Sequence, residues 1–348
     1  MTSTILLNDQ IQDLLKEFRT QDGQSISIWM TSLKIEDGNI TLVFDVPLDK
    51  TTELELLRQK VEEAIQRLSN VNQVRSILTN QRAAPVPPKM KEPTQLPGVK
   101  KIMAIASGKG GVGKSTTAAN LAIALTLLGK KIGLLDADVY GPSLPRLFSI
   151  TQKPEATVNK KLIPIHQYGI ECMSIGFMVA EETAMIWRGP MVHSALHQML
   201  KEVLWPELDI LIVDMPPGTG DAHLTLCQQV KIDGAVIVST PQDIALIDAR
   251  RALTMFRKIN IPVLGIIENM SQFSCTHCGH VTEIFSHGGA QQEARKLNIP
   301  FLGEIPLNLS IRQQSDAGKP ITASEPDSKI SEIYQNIAQK VIDNLKVL

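Results

Sequence analysis

Glycine, lysine and serine fall in one tight frame at Gly108, Gly113, Lys114 and Ser115, inside the run GKGGVGKST from Gly108 to Thr116. The frame G-x-x-x-x-G-K-[ST] follows a short apolar run, Ile102 to Ala106. A loop with so little side-chain bulk can turn its backbone N–H groups inward around an anion. Gly108, Lys109, Gly110, Gly111, Val112, Gly113, Lys114, Ser115 and Thr116 are therefore the expected cradle of a nucleoside triphosphate. Lys114 would reach the β- and γ-phosphates, Ser115 would hold Mg²⁺, and the following helix would aim its positive end at the anion. Lys109 is a second lysine in the same loop, and two such cations repel unless each has an anion to face.

A second cluster is C-T-H-C-G-H, Cys275 to His280. Cysteines spaced C-x-x-C can direct both sulfurs at one metal, with Gly279 letting the chain turn. One pair supplies two thiolates, whereas a cubane iron–sulfur cluster wants four. His277 and His280 could complete a zinc site within the chain, although adjacent His277 and Cys278 reach one tetrahedral ion with difficulty. A zinc ion bridging two copies through four sulfurs and a redox dithiol are the other readings. Cys172 and Cys227 stand alone and read as core residues.

In LDILIVDMPPGTGD, Leu208 to Asp221, four apolar residues lead to Asp214, and Pro216, Pro217 and Gly218 then stop the strand. Asp214 is placed to reach Mg²⁺ through water, and the Gly218 to Gly220 turn can move when a γ-phosphate leaves.

These groups need a scaffold that brings strand ends together. Apolar runs recur at Ile102–Ala106, Lys131–Leu135, Ile210–Val213, Ala235–Ser239 and Val263–Ile267, with helical stretches such as Ser115–Leu128 and Ile244–Lys258 between them. Continuous apolar strands alternating with helices predict an α/β fold with a mostly parallel sheet covered by helices on both faces. Ligands bind such sheets at the carboxyl ends of the strands, where these motifs fall.

Residues 83–98, AAPVPPKMKEPTQLPG, hold five prolines and predict a linker between a small α/β domain at 1–82 and an ATPase domain at 99–348. The front part predicts a helix near Asn8 to Phe18, strands at Ser25 to Leu33 and Asn39 to Val46 joined through Asp37-Gly38, a helix from Thr52 to Leu68, and a last strand at Val71 to Leu78.

GKGGVGKST resembles the deviant Walker A motif of the P-loop family that contains nitrogenase iron protein, the septum-site and plasmid-partition ATPases, and the Mrp/ApbC iron–sulfur carriers. In that family the early lysine, here Lys109, reaches the nucleotide of the other subunit, which implies a homodimer holding two ATPs. DADVYGPS, Asp136 to Ser143, resembles its switch I, with Asp138 orienting the attacking water and Asp136 near the Mg²⁺ shell. Asn269 in IIENM matches the adenine-contacting asparagine, and Gly303 to Ile321 matches the segment packed beside the base.

DMPPGTGD, Trp187 to Met191 (WRGPM) and the Phe285 to Gly289 run (FSHGG) are similar to the Mrp branch. There the paired Cys-x-x-C motifs of two subunits bridge one labile 4Fe–4S cluster, which implies Cys275 and Cys278 as ligands. The front domain is similar only loosely. It reads VPLDK at Val46 to Lys50 and has no cysteine before Cys172, so it is expected to mediate contacts rather than hold metal.

Composition narrows the choice. Hydrophobic residues are 43% and charged residues 20%, the balance of a globular enzyme, and a net charge of −1 gives no general grip on nucleic acid or an anionic membrane. No basic leader precedes the first helix, and four cysteines in 348 residues make no disulfide framework, so the cytoplasm is expected. The expected function is a slow, switch-type ATP hydrolase that takes a 4Fe–4S cluster from donors and passes it to apoproteins. A positioning or partition ATPase and a reductase are the competing classes. The terminal helix, with Ile330, Ile333, Ile337, Val341, Ile342 and Leu345 on one face, is barely basic and is expected to pack on the core rather than on a membrane.

Overall fold

Strand β4 (Val99–Ala106) has five consecutive buried residues at its carboxyl end, because strands lie on both sides of it and helices cover its faces. The structure is a computed structural model describing residues 2–36, 38–47, 50–69, 71–80, 94–178, 189–218 and 220–347. The chain divides into two units, Met1–Met90 and Lys91–Leu348. The expected linker falls largely on residues 83–93, outside the described residues, as do Asp37 of the expected hairpin turn, residues 48–49 of VPLDK, and Trp187 and Arg188.

In the larger unit, β4 pairs in parallel with β8 (Leu208–Asp214) and β9 (Gly234–Ser239). Beyond β8 come β5 (Ile132–Asp136) and β7 (Ile170–Ser174), also parallel. Beyond β9 come β10 (Val263–Ser274) and β12 (Phe301–Leu307), parallel again. Only the margins are antiparallel among the described residues: β6 (Ile165–Gln167) on β7, and β11 (Val281–Thr282) on β10. All of β9 and nearly all of β8 are buried, as expected for strands covered on both faces.

Helix α3 (Lys114–Leu127) begins directly after the glycine loop and buries Ala118, Ala119, Leu121 and Ala122 in the main core. Small alanines let it lie close to the sheet, and this fixes the loop at its amino end. The terminal helix α11 (Lys329–Val347) packs on α3 and β12 through Tyr334, Ile337, Val341, Ile342 and Leu345, so its apolar face is spent on the core as expected. No helix among the described residues is long and apolar enough to cross a membrane.

The smaller unit has helix α1 (Thr2–Glu17), strands β1 (Met30–Glu36) and β2 (Asn39–Val46), helix α2 (Thr51–Gln66) and strand β3 (Gln73–Asn80). β1 and β2 are antiparallel, with Glu36 opposite Asn39 across a turn where Gly38 has φ +78°. β3 returns parallel to β2 through α2, and Ile11, Leu15, Leu42, Phe44, Leu54 and Ile65 fill the core. One expectation needs correction here. The strand foreseen at Ser25 to Leu33 is split, with Ile26–Trp29 forming a 3-10 turn before β1 starts at Met30. Ser25 causes this: its hydroxyl accepts from the Ser27 N–H and caps the turn, a local bond that competes with strand pairing.

Candidate nucleotide and thiol site

Between β4 and α3 the loop needs glycine at two positions by conformation, since Gly111 and Gly113 have φ +82° and +79°. Gly108 is needed for space: a Cβ there would stand 2.1 Å from the backbone carbon of Asp248 on helix α7 (Asp243–Lys258). A Cβ on Gly111 would meet nothing within 4 Å, so the loop is open on that side. Ser107 donates from its hydroxyl to the Lys109 carbonyl at 2.8 Å and accepts a hydrogen bond from Gly218 N–H at its own carbonyl, at 3.1 Å. The start of the loop and the Pro-Pro-Gly turn after β8 are thus joined directly. The Lys109 side chain is half-buried and forms no ion pair among the described residues.

Lys114 Nζ meets Asp214 Oδ1 at 2.5 Å, both side chains buried, and donates also to Ser115 Oγ at 3.2 Å. The parallel register sets Asp136 of β5 beside Asp214 of β8. Burial first, and the neighbouring Asp214 charge second, push the Asp136 carboxyl up to about 7. Asp136 accepts from Ser143 N–H at 2.9 Å, Leu144 N–H at 3.1 Å, Ser174 Oγ at 3.1 Å and Asp138 N–H at 3.1 Å. It therefore shapes the loop that carries Asp138. Asp138 is half-buried, accepts from Gly141 N–H at 3.3 Å, and has its carboxyl raised chiefly by burial against the opposing charge of Lys114. Asp214 pairs with Lys114 while Asp136 stands beside it on the neighbouring strand, and a divalent cation suits two adjacent carboxyl groups.

Asn269 on β10 donates from Nδ2 to the Val112 carbonyl at 2.8 Å, closing the loop from the far side. Beside it lies a cavity of about 340 Å³ lined by Gly113, Thr116, Asn269, Pro306, Asn308 and Arg312 among others. The segment from β12 into helix α9 (Leu309–Asp316) thus stands next to Asn269 and the loop.

Strand β10 runs on from Asn269 to Ser274, and Cys275 follows. The chain turns there, with Gly279 N–H donating to the Cys275 carbonyl at 2.8 Å and Cys275 N–H donating to the His280 carbonyl at 2.9 Å. Gly279 has φ +72°, which the tight turn requires. Cys278 is exposed and Cys275 half-exposed, and backbone N–H groups of Cys278 and His277 aimed at the Cys275 sulfur hold its thiol below the ordinary range. Cys172 and Cys227 are buried, and burial pushes the Cys227 thiol up to about 12 and the Cys172 thiol higher still. Among the described residues, no His, Asp, Glu or further Cys brings a ligand atom within 4.8 Å of both sulfurs of the pair.

The sequence reading passed over two features. Glu268, His287 and Glu304 do bring ligand atoms within 4.8 Å of one another. Both Glu268 oxygens, however, already accept from Gly288 and Ala290 N–H at the start of helix α8 (Gly289–Leu297), and His287 Nε2 pairs with Glu304 at 2.8 Å. The trio is a clip between β10, α8 and β12. The second feature is His223 on helix α6 (Asp221–Gln229), buried to 1% exposure just after the Pro-Pro-Gly turn. Its place in DMPPGTGDAH was visible, but apolar periodicity carries no sign that a histidine will be enclosed.

Comparison with known proteins agrees with this geometry. A family model described as the ParA, NUBPL iron-transfer P-loop NTPase matches residues 98–342. An iron–sulfur protein required for NADH dehydrogenase in Arabidopsis thaliana mitochondria is 54% identical over 255 residues, 73% of this chain and 82% of that one. An iron–sulfur cluster carrier protein of Haemophilus influenzae is 42% identical over 344 residues, 97% of this chain and 92% of that one. A nucleotide-binding protein of Archaeoglobus fulgidus, solved in complex with ADP and with cobalt, is 40% identical with a TM-score of 0.58, covering 68% of this chain and 92% of that one. The Pyrococcus furiosus cell-division ATPase MinD, 20% identical with a TM-score of 0.54 over 70% of this chain and 98% of its own, shares the fold. With the glycine loop, the buried lysine–aspartate pair and the parallel sheet inside the matched span, the chain belongs to the NUBPL-type iron-transfer branch of the P-loop NTPases.

Proposed function

We propose that this protein is an ATP-driven iron–sulfur cluster carrier whose cargo, a labile 4Fe–4S cluster, is gripped by Cys275 and Cys278 of two copies at once. The observation that carries the reading is the thiol turn. It presents two accessible sulfurs, one with a lowered pKa, and no further ligand from the chain among the described residues joins them. Two sulfurs are half of what a cubane cluster takes. A homodimer supplies four, and a site shared between subunits releases its cargo when the subunits part. The relatives named as iron–sulfur cluster carriers support the cargo class.

The residues around the loop fit Mg²⁺ and ATP. Backbone N–H groups of Gly110 to Ser115 would surround the phosphates, Lys114 would leave Asp214 for them, and Ser115 with Asp214 and Asp136 would hold the cation shell. Mg²⁺ neutralises phosphate charge when bound. Asp138 orients the attacking water, Asn269 reads the adenine from the adjoining cavity, and Lys109, with no ion pair among the described residues, faces the nucleotide of the other subunit. Hydrolysis serves as a slow switch on the dimer. The 1–82 segment acts as a contact domain, tethered by residues 83–98, toward donors or recipient apoproteins. The core-packed α11 disfavours the positioning-ATPase reading. A zinc ion bridging the same four sulfurs is the second reading, since thiolates serve zinc as well as iron.

Anaerobic reconstitution with iron and sulfide, followed by absorption spectroscopy and metal counting, tests the proposal on the wild type and on Cys275→Ala/Cys278→Ala. Cluster on the wild type alone is expected. Cluster retained by the double variant places the site elsewhere, and zinc in place of iron selects the second reading.

A further inference from the structure

His223 is the one histidine among the described residues whose ring nitrogen is buried with no hydrogen-bond partner, at Nε2. It sits on the first turn of α6, and the Pro-Pro-Gly turn before it is tied to the glycine loop by the Gly218–Ser107 bond. The ring also interacts with the backbone of Pro216. Proline has no N–H, so that contact is to its carbonyl, which only accepts. Because Nε2 has no partner, the contact with the Pro216 carbonyl is assigned to Nδ1–H, the tautomer that leaves Nε2 with an open lone pair. Burial, and then the charge of Lys114, push the imidazolium down to about 4, which keeps the ring neutral. A buried acceptor without a donor is costly, so such a group in a native protein calls for an explanation, a bound water or a role in the site among them. Two of the three protons of Lys114 are engaged, by Asp214 and Ser115.

We propose that His223 is a positioning residue whose Nε2 accepts a hydrogen bond from a water brought into the site with Mg²⁺ and ATP. The contact with Pro216 only helps to orient the ring for that water. No proton is transferred; the ring stays neutral throughout. The inference rests on the ATPase reading above.

Asparagine places its amide near the Nδ1 position and lacks an acceptor at Nε2, whereas glutamine reaches the Nε2 position. His223→Asn is expected to lower kcat for ATP about tenfold or more with KM unchanged, and His223→Gln to stay within about threefold of wild type. Equal losses in both variants, or full activity of His223→Asn, overturn the proposal. The wild-type protein with ¹⁵N-labelled histidine gives an independent measurement. The Nε2 resonance, assigned by its disappearance in His223→Gln, is expected to move to the hydrogen-bonded range on adding Mg²⁺ with a non-hydrolysable ATP analogue, and to stay put with Mg²⁺ alone. An unmoved resonance with the analogue overturns the role of His223. Absent turnover by the wild type instead sinks the ATPase reading, and the resonance still decides on His223.

Discussion

Lys114 Nζ stands 2.5 Å from Asp214 Oδ1, a buried ion pair between residues 100 positions apart in sequence. Lys114 is thus paired with the carboxylate that lies beside Asp136. On the proposed ATPase reading, phosphate would exchange one anion for another at Lys114 and free Asp214 for the cation shell.

Removing the lysine separates folding from function. Lys114→Ala leaves Asp214 buried without its cation, so denaturant unfolding without nucleotide should show a loss of about 3–5 kcal/mol. ATP turnover should fall at least about a hundredfold. Cluster uptake in vitro should persist, because the thiol turn is a separate structure, and loss of uptake would contradict the division of labour.

Gly113 and Asn269 should act as a pair. A Cβ on Gly113 would stand 2.2 Å from Asn269 Nδ2, so Gly113→Ala both strains a positive-φ backbone and displaces the asparagine. Asn269→Ala removes the donor alone. Titration with a fluorescent ATP analogue should show about tenfold weaker binding for Asn269→Ala, and a greater loss for Gly113→Ala. Equal, wild-type affinity in both would show that Asn269 does not read the base.

Gly108→Ala tests packing of the loop against α7. Its Cβ would enter the backbone of Asp248, which cannot yield as a side chain tip does. Overpacking of this kind costs about 1–3 kcal/mol. A thermal melt at wild-type temperature would show that the loop stands further from α7.

His287 gives a pH signature. Its hydrogen bond to Glu304 chiefly raises its pKa above 6.5, with Glu268 and Glu283 adding attraction against the opposing cost of burial. A raised folded value means the contribution is full below about 6.5 and fades as pH rises through the folded value. Because the ring is partly exposed, the effect is under about 1 kcal/mol. His287→Ala should lose more stability at pH 6 than at pH 9, measured by urea unfolding; an equal loss at both would mean the ring is held by packing alone.

What could be read from the sequence follows from which signals are local. The parallel strands were legible because β4, β8 and β9 are buried on both faces and read as unbroken apolar runs. The glycine loop was legible because phosphate cradling uses consecutive backbone groups. β10 was foreseen as an apolar run to Ile267 closing through IIENM at Met270, yet it runs to Ser274 past Met270, whose φ is +58°, and past a slip in register against β12 between Asn269 and Phe273. That irregularity is a tertiary feature, as are the meeting of Lys114 with Asp214, the enclosure of His223 and the Glu268–His287–Glu304 clip. Ser25 misled the reading of the front unit because a hydroxyl cap overrode a run of strand-forming residues.

Native mass spectrometry of the anaerobically reconstituted protein, with Mg²⁺ and ATP present, tests the shared-thiol claim most directly. The account predicts a dimer carrying one 4Fe–4S cluster in total, dissociating to cluster-free chains when Cys275 and Cys278 are both replaced. A single chain carrying a complete cluster would contradict it.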